Sequence, residues 1–204
     1  MPHTIEHIVF DIGRVLLHWD PELLYRKLIP DDAERAWFFA NVCTTEWNLE
    51  QDRGRDWTLA EALLIADYPE HAELIRAWRG RWHETVPGAV EGTAAILLAL
   101  VEQGRDVTLL SNFNQDTYAE VRLRFPELDA PRGRTISGHV GMIKPEPGIY
   151  RHHVTAFALD PAATYFIDDS PPNIAAAEAA GWQGHVFTSA DALRADLARH
   201  GITV

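Results

Sequence analysis

Apolar and polar positions follow two rhythms along this chain. Residues 6–17 are an apolar run, Ile8-Val9-Phe10 before Asp11 and Val15-Leu16-Leu17 after Gly13, and read as a first buried strand. From about Asp20 to His83 no strand-like run occurs. Apolar residues recur there at helical spacing, as in Glu22-Leu23-Leu24-Tyr25-Arg26-Lys27-Leu28 and Ala60-Glu61-Ala62-Leu63-Leu64-Ile65. From Pro87 onward helices and strands alternate. Ala89–Gln103 predicts a helix stopped by Gly104. Val107-Thr108-Leu109-Leu110 predicts a strand ending in Ser111, Thr164-Tyr165-Phe166-Ile167 one ending in Asp168, and His185-Val186-Phe187 another. Ser170 followed by Pro171, and Ser189, read as helix starts. The alternation predicts an α/β protein with a parallel sheet covered on both faces. The core then spans 1–17 and 85–204, and the helical block 18–84 is an insertion after the first strand.

Composition narrows the class. A chain of 204 residues, 47% hydrophobic and 24% charged, is long enough to bury a sizeable core and ordinary for a globular protein. Six of the seven tryptophans precede residue 85, as suits a helical unit that makes its core from bulky side chains; one or two are expected to line a cleft. The net charge of −12 argues against nucleic acid as a partner. It also requires any anionic substrate to find a locally positive pocket. Cys43 is the single cysteine, which excludes an intramolecular disulfide. Met1-Pro2-His3-Thr4-Ile5-Glu6-His7 shows no leader pattern, and no apolar run reaches membrane-spanning length, so a cytoplasmic protein without membrane contact is expected. The oligomeric state is left open.

Four short segments carry the candidate chemistry. Asp11 ends an apolar run just before Gly13, the way open α/β sheets deliver an acid to a site. Ser111-Asn112 ends the second core strand. Lys144 stands in Lys144-Pro145-Glu146-Pro147-Gly148-Ile149-Tyr150, where the prolines stiffen the loop ahead of a helix. Asp168-Asp169 puts two adjacent acids after a buried run, where they repel one another and invite a cation. Singly, each has a plain structural reading: a turn aspartate, a Ser-Asn turn, a solvated lysine, an acidic helix start. In this order, the four resemble the haloacid dehalogenase (HAD) superfamily of aspartate-nucleophile hydrolases over essentially the whole chain. The helical insertion after the first motif resembles its small-helical-cap branch (C1, subfamily I). The resemblance implies a Rossmann-like core with an inserted helical cap. It implies Asp11 as nucleophile, Lys144 as the charge-neutralising catalytic residue, and Ser111 and Asn112 as substrate-binding residues. It also implies Mg²⁺ held by Asp11, the backbone carbonyl of Gly13, Asp169, and Asp168 directly or through water. Asn173 matches a position that orients the acidic pair.

One departure bears on the chemistry. Most phosphatases of the superfamily carry a second aspartate two residues after the first, and here that position is Gly13. Losing a positioned acid/base costs roughly 10²–10⁴ in rate. The leading reading is a Mg-dependent hydrolase of a small phosphate ester. A sugar phosphate suits it, because the branch with Asp-x-Gly in the first motif is similar to sugar-phosphate phosphatases. The alternatives are a 2-haloacid dehalogenase, disfavoured by Asp168-Asp169, and a non-catalytic relative that binds a phosphorylated ligand or a protein. Candidate substitutes for the missing acid are His18 and the cap residues around Glu46, Trp47, Asp52 and Arg53, each with structure as its plainer role. Arg14 reads as a surface ion pair and Asn114 as loop. The His152-His153 pair has poor geometry for a metal.

Overall fold

The computed structural model describes residues 4–204; Met1, Pro2 and His3, on which part of the leader reading falls, lie outside the described residues. The chain begins with β1 (His7–Phe10) and enters five helices: α1 (Glu22–Leu28), α2 (Asp32–Asn41), α3 (Thr45–Asp52), α4 (Trp57–Asp67) and α5 (Ala72–Gly80). It returns through α6 (Thr93–Glu102), β2 (Asp106–Ser111), α7 (Gln115–Arg124), β3 (Gly133–Ile136), α8 (Ser137–Val140) and α9 (Pro147–Phe157). It finishes with β4 (Thr164–Asp168), α10 (Pro171–Ala179), β5 (Gln183–Val186) and α11 (Ala190–Arg199). The strands form one sheet in the order β3-β2-β1-β4-β5, and every pairing is parallel. This is the α/β, Rossmann-like core with an inserted helical subdomain that the pattern and the resemblance predict.

Strand periodicity divides the core in two. Ile8 and Phe10, with Val107, Leu109, Tyr165 and Ile167, face one layer that includes Ile96, Leu97, Leu100, Leu193 and Leu197. Val9, Leu110 and Phe166 face the opposite layer with Ile149, Tyr150, Ile174 and Trp182. The inserted helices bury a third cluster of their own, with Leu24, Tyr25, Phe38, Val42, Trp57, Ile75 and Trp78. Tyr25, Phe38, Phe39, Trp47 and Trp78 pack there at mostly tilted or edge-on angles, the geometry aromatic quadrupoles favour.

Several local expectations are corrected. The first strand is His7–Phe10, not the whole of 6–17. Val15, Leu16 and Leu17 are apolar because they are buried, yet they lie in a turn: Arg14 adopts a left-handed φ of 59°, and Leu17 makes only isolated bridges, to Gly13 and Ala89. The helix expected from Ala89 starts at Thr93, because Gly92 sits at φ 80° and Ala89 is taken by that bridge. The His185 strand runs Gln183–Val186. Strand β3 has no counterpart in the sequence reading; it is a four-residue edge strand, and only Thr135 and Ile136 of it are buried. Pro171 begins α10 as expected, but the Ser170 hydroxyl makes no capping bond. Ser189 does cap α11, accepting from the Ala192 N–H at 3.1 Å.

Candidate active site

Register places the site. Phe10 is level with Leu109 and Ile167, so the next residue, Asp11, stands beside Leu110 and Asp168 at the carboxyl end of the central strand. That end of an open parallel sheet, beside the central strand, is where such folds hold ligands. Asp11 is buried, and three donors converge on its Oδ1: the Ile12 N–H at 2.7 Å, the Ser111 hydroxyl at 2.7 Å and the Lys144 ammonium at 2.9 Å. Oδ2 accepts no hydrogen bond among the described residues. Lys144 is buried as well, donating to Asp168 Oδ2 at 2.6 Å and to the Leu110 carbonyl at 3.0 Å. Burial opposes the lysine's charge, but Asp11 and Asp168 together outweigh it and hold its pKa above the ordinary value. Burial pushes the Asp11 carboxyl up to about 7, Lys144 working against that rise and Asp168 adding to it.

The two acids of the pair differ. Asp168 is fully buried: Oδ1 accepts from the Ser170 N–H at 2.8 Å and Asn173 Nδ2 at 3.1 Å, while Oδ2 takes Asn173 Nδ2 at 3.1 Å besides Lys144. Asn173 thus holds the buried member, at the position the resemblance assigns to orienting the pair. Asp169 is half-buried, and its carboxyl is raised by burial and by the charge of Asp168. Oxygens of Asp11, Asp168 and Asp169 all lie within 4.8 Å of one another. Three carboxylates thus cluster together, and two of them, Asp11 and Asp168, share one buried ammonium. The donors are hard oxygens, the set that suits Mg²⁺. Asp11, Gly13 and Asp169 line a cleft of about 460 Å³ between the carboxyl ends of the strands and the inserted helices, with Ser111 and Asn112 beside them. Asp168 is not part of that lining. A Cβ built on Gly13 meets nothing within 4 Å and its φ is not in the left-handed region, so neither packing nor backbone requires glycine there.

The family model described as haloacid dehalogenase-like hydrolase matches residues 5–181. The chain belongs to this family. Among solved structures, this hydrolase is similar to a HAD family enzyme from Bacteroides thetaiotaomicron in complex with magnesium and inorganic phosphate (TM-score 0.71, 24% identity, 91% of this chain and 95% of that one). It is also similar to a HAD family hydrolase from Deinococcus radiodurans R1 with bound phosphate and sodium (TM-score 0.67, 22% identity, 98% of each chain). At these identities the likeness is one of fold. A stretch of 64 residues is 39% identical to the chloroplast flavin mononucleotide hydrolase 1 of Arabidopsis thaliana, covering 31% of this chain and 26% of that protein.

In the hydrolase, several side chains do more than the sequence reveals. Asn112 clamps the lysine loop: its Nδ2 donates to the Lys144 carbonyl at 2.9 Å and its Oδ1 accepts the Lys144 N–H at 2.7 Å. That side chain therefore positions Lys144 as well as lining the cleft. Asn114, read as loop, caps α7 by accepting the Asp116 N–H at 2.9 Å and donates to the Gln51 carbonyl at 2.8 Å, tying core to cap. The Asn-x-Asp pattern before a helix signals the cap bond; no local pattern signals the second bond. Arg14 forms an ion pair, as expected, but at the cleft: Nη1 lies 3.9 Å from Asp169 Oδ2, and the guanidinium stands 5.3 Å from the Trp19 ring centroid. Trp19, Trp57, Trp78 and Trp82 all line the cleft, more than the one or two expected. His153 is buried between the hydroxyls of Thr108 (2.9 Å) and Thr135 (2.8 Å), far from any metal-ligand role.

Proposed function

We propose that this hydrolase cleaves small phosphate monoesters through an aspartyl-phosphate on Asp11, with Mg²⁺ as its cofactor. The observation that carries the reading is the carboxylate of Asp11 sharing one buried ammonium with Asp168 while Asp169 opens onto the same cleft. Asp11, the Gly13 carbonyl and Asp169 would hold the ion. Asp168, already carrying a backbone N–H, an amide and an ammonium, would act mainly on Lys144 and through water. When bound, Mg²⁺ offsets the negative charge that accumulates between Asp11 and the phosphoryl oxygens.

The chain's own groups supply the rest. Asp11 attacks phosphorus and splits one difficult displacement into two. Ser111 and the backbone at residue 112 hold a phosphoryl oxygen, and Lys144 neutralises the charge as it builds. The magnesium and phosphate bound by the Bacteroides enzyme, and the phosphate bound by the Deinococcus one, support this chemistry by analogy. A cleft of about 460 Å³ lined by tryptophans suits a small phosphorylated metabolite such as a sugar phosphate, whose apolar ring face can lie on indole. We place the hydrolase in the small-helical-cap branch (C1, subfamily I), with a core of residues 1–17 and 85–204 and a cap of 18–84. The acidic pair stands against a dehalogenase, since halide departure requires no cation.

The test is a panel of phosphate esters assayed with Mg²⁺ and with a chelator, beside 2-chloropropionate. Phosphate release that needs the metal and disappears in Asp11→Asn is the expected outcome. Metal-independent chloride release, or an Asp11→Asn variant at full activity, overturns the reading.

A further inference from the structure

An alkoxide leaves phosphorus poorly unless it is protonated, and the water that later attacks an aspartyl-phosphate must lose a proton. Gly13 has no side chain to do either. The cleft offers few other groups. His18 is exposed. Asp20 Oδ1 accepts the Glu22 N–H at 2.9 Å at the start of α1, and Glu22 is bound by Arg26 and Arg35. Cys43 is buried, and its thiol is pushed well above the ordinary range by that burial. Asp169 belongs to the carboxylate cluster and pairs with Arg14.

We propose that Asp52, brought by the cap to the wall of the cleft it shares with Asp11, is the general acid and base of both half-reactions. This rests on the phosphatase reading above. Three observations carry it. Asp52 lines the same cleft as Asp11. Its carboxylate has no cationic partner among the described residues; Asn48 Nδ2 donates to Oδ2 at 3.0 Å, and the Asn114 backbone also donates to it. Its position relative to Asp11 is fixed, although it belongs to the cap. The Asp52 carbonyl accepts the Ser137 hydroxyl at 2.5 Å, and the preceding Gln51 carbonyl accepts Asn114 Nδ2 at 2.8 Å. The following Arg53 grips both oxygens of Glu146 at 2.9 and 2.6 Å. Burial, with the nearby charge of Asp11, also pushes this carboxyl up to about 7, where it can give and take a proton near neutral pH.

In the first step an Asp11 oxygen forms a bond to phosphorus as the ester P–O bond breaks, and the departing oxygen takes the proton of the Asp52 carboxyl. In the second, the Asp52 carboxylate takes a proton from water. The water oxygen bonds to phosphorus, the Asp11–phosphorus bond breaks, and Asp11 returns as a carboxylate with Asp52 reprotonated.

The experiment compares wild type, Asp52→Asn and Asp11→Asn with Mg²⁺ on p-nitrophenyl phosphate and on glycerol 1-phosphate. Asp52→Asn should lose roughly 10²–10⁴ on the alkyl ester. On the aryl ester, whose phenolate needs no proton, it should release a stoichiometric burst of nitrophenol followed by slow turnover, with phosphate trapped on Asp11. An equal loss on both esters without a burst, or no loss, overturns the role of Asp52 while the nucleophile stands. A wild type that is inert on both esters, with no label on Asp11, overturns the phosphatase reading and this proposal with it. Should Asp52→Asn fail to fold, Asp52→Ala with added formate decides: return of alkyl-ester turnover supports the role, and none refutes it.

Discussion

At the scale of single residues, the site is an exercise in crowding charge. Lys144 is buried among two carboxylates and a carbonyl. Removing the one cation from a buried arrangement of this kind leaves charges unpaired and costs about 3–5 kcal/mol. Lys144→Met should therefore lower the thermal midpoint sharply as well as abolish turnover, as read by calorimetry and by phosphate release. A thermal midpoint unchanged in the variant would mean that the repulsion between the two acids is not offset by this ammonium. Asp11→Asn, by contrast, removes a carboxylate whose charge burial already disfavours, so its loss of activity should come without a comparable loss of stability.

Among the secondary-structure elements, His153 fastens α9 to the sheet by bridging Thr108 of β2 and Thr135 of β3. Burial, followed by the nearby positive charge, lowers its pKa from 6.5 to about 3. Between those two values the unfolded chain binds a proton that the native state refuses. Stability is therefore complete above about pH 6.5 and falls as the pH drops toward about 3, by roughly 1.4 kcal/mol per unit from this residue. Urea titrations across this range should show a shallower acid slope for His153→Gln than for wild type; identical slopes would refute the buried neutral imidazole. The elements also show where sequence reading succeeds. Asp11, Ser111 and Asp168 were legible because each closes an apolar run, and Lys144 because prolines bracket its loop. Strand β3 was not, since Gly133 and Arg134 make half of a short edge strand that lacks an apolar run. Residues 15–17 misled because burial in a turn leaves the same apolar signature as burial in a strand. Asn114 was invisible as a tie because its partner carbonyl is 63 residues away in sequence.

For the whole molecule, the decisive relation is between cap and core. Gly54 sits at φ 107°, and a Cβ there would come within 2.8 Å of the Gly138 carbonyl. Gly54→Ala should cost about 1–3 kcal/mol of local stability through backbone strain and that collision. Amides of residues 45–57 should exchange faster with solvent and kcat should fall, while the sheet amides keep their protection; unaltered exchange in α3 would show that this contact does not anchor the cap. The fastening at Gln51, Asp52 and Arg53 has a further consequence. The segment that clasps the cap to the loops after β2 and β3 also carries Asp52, so, if Asp52 is the proton donor proposed above, breaking these ties would part the donor from Asp11 in the same movement. On that proposal a molecule with these ties broken would admit ester or release phosphate without catalysing, and entry and chemistry would fall in separate moments of the cycle.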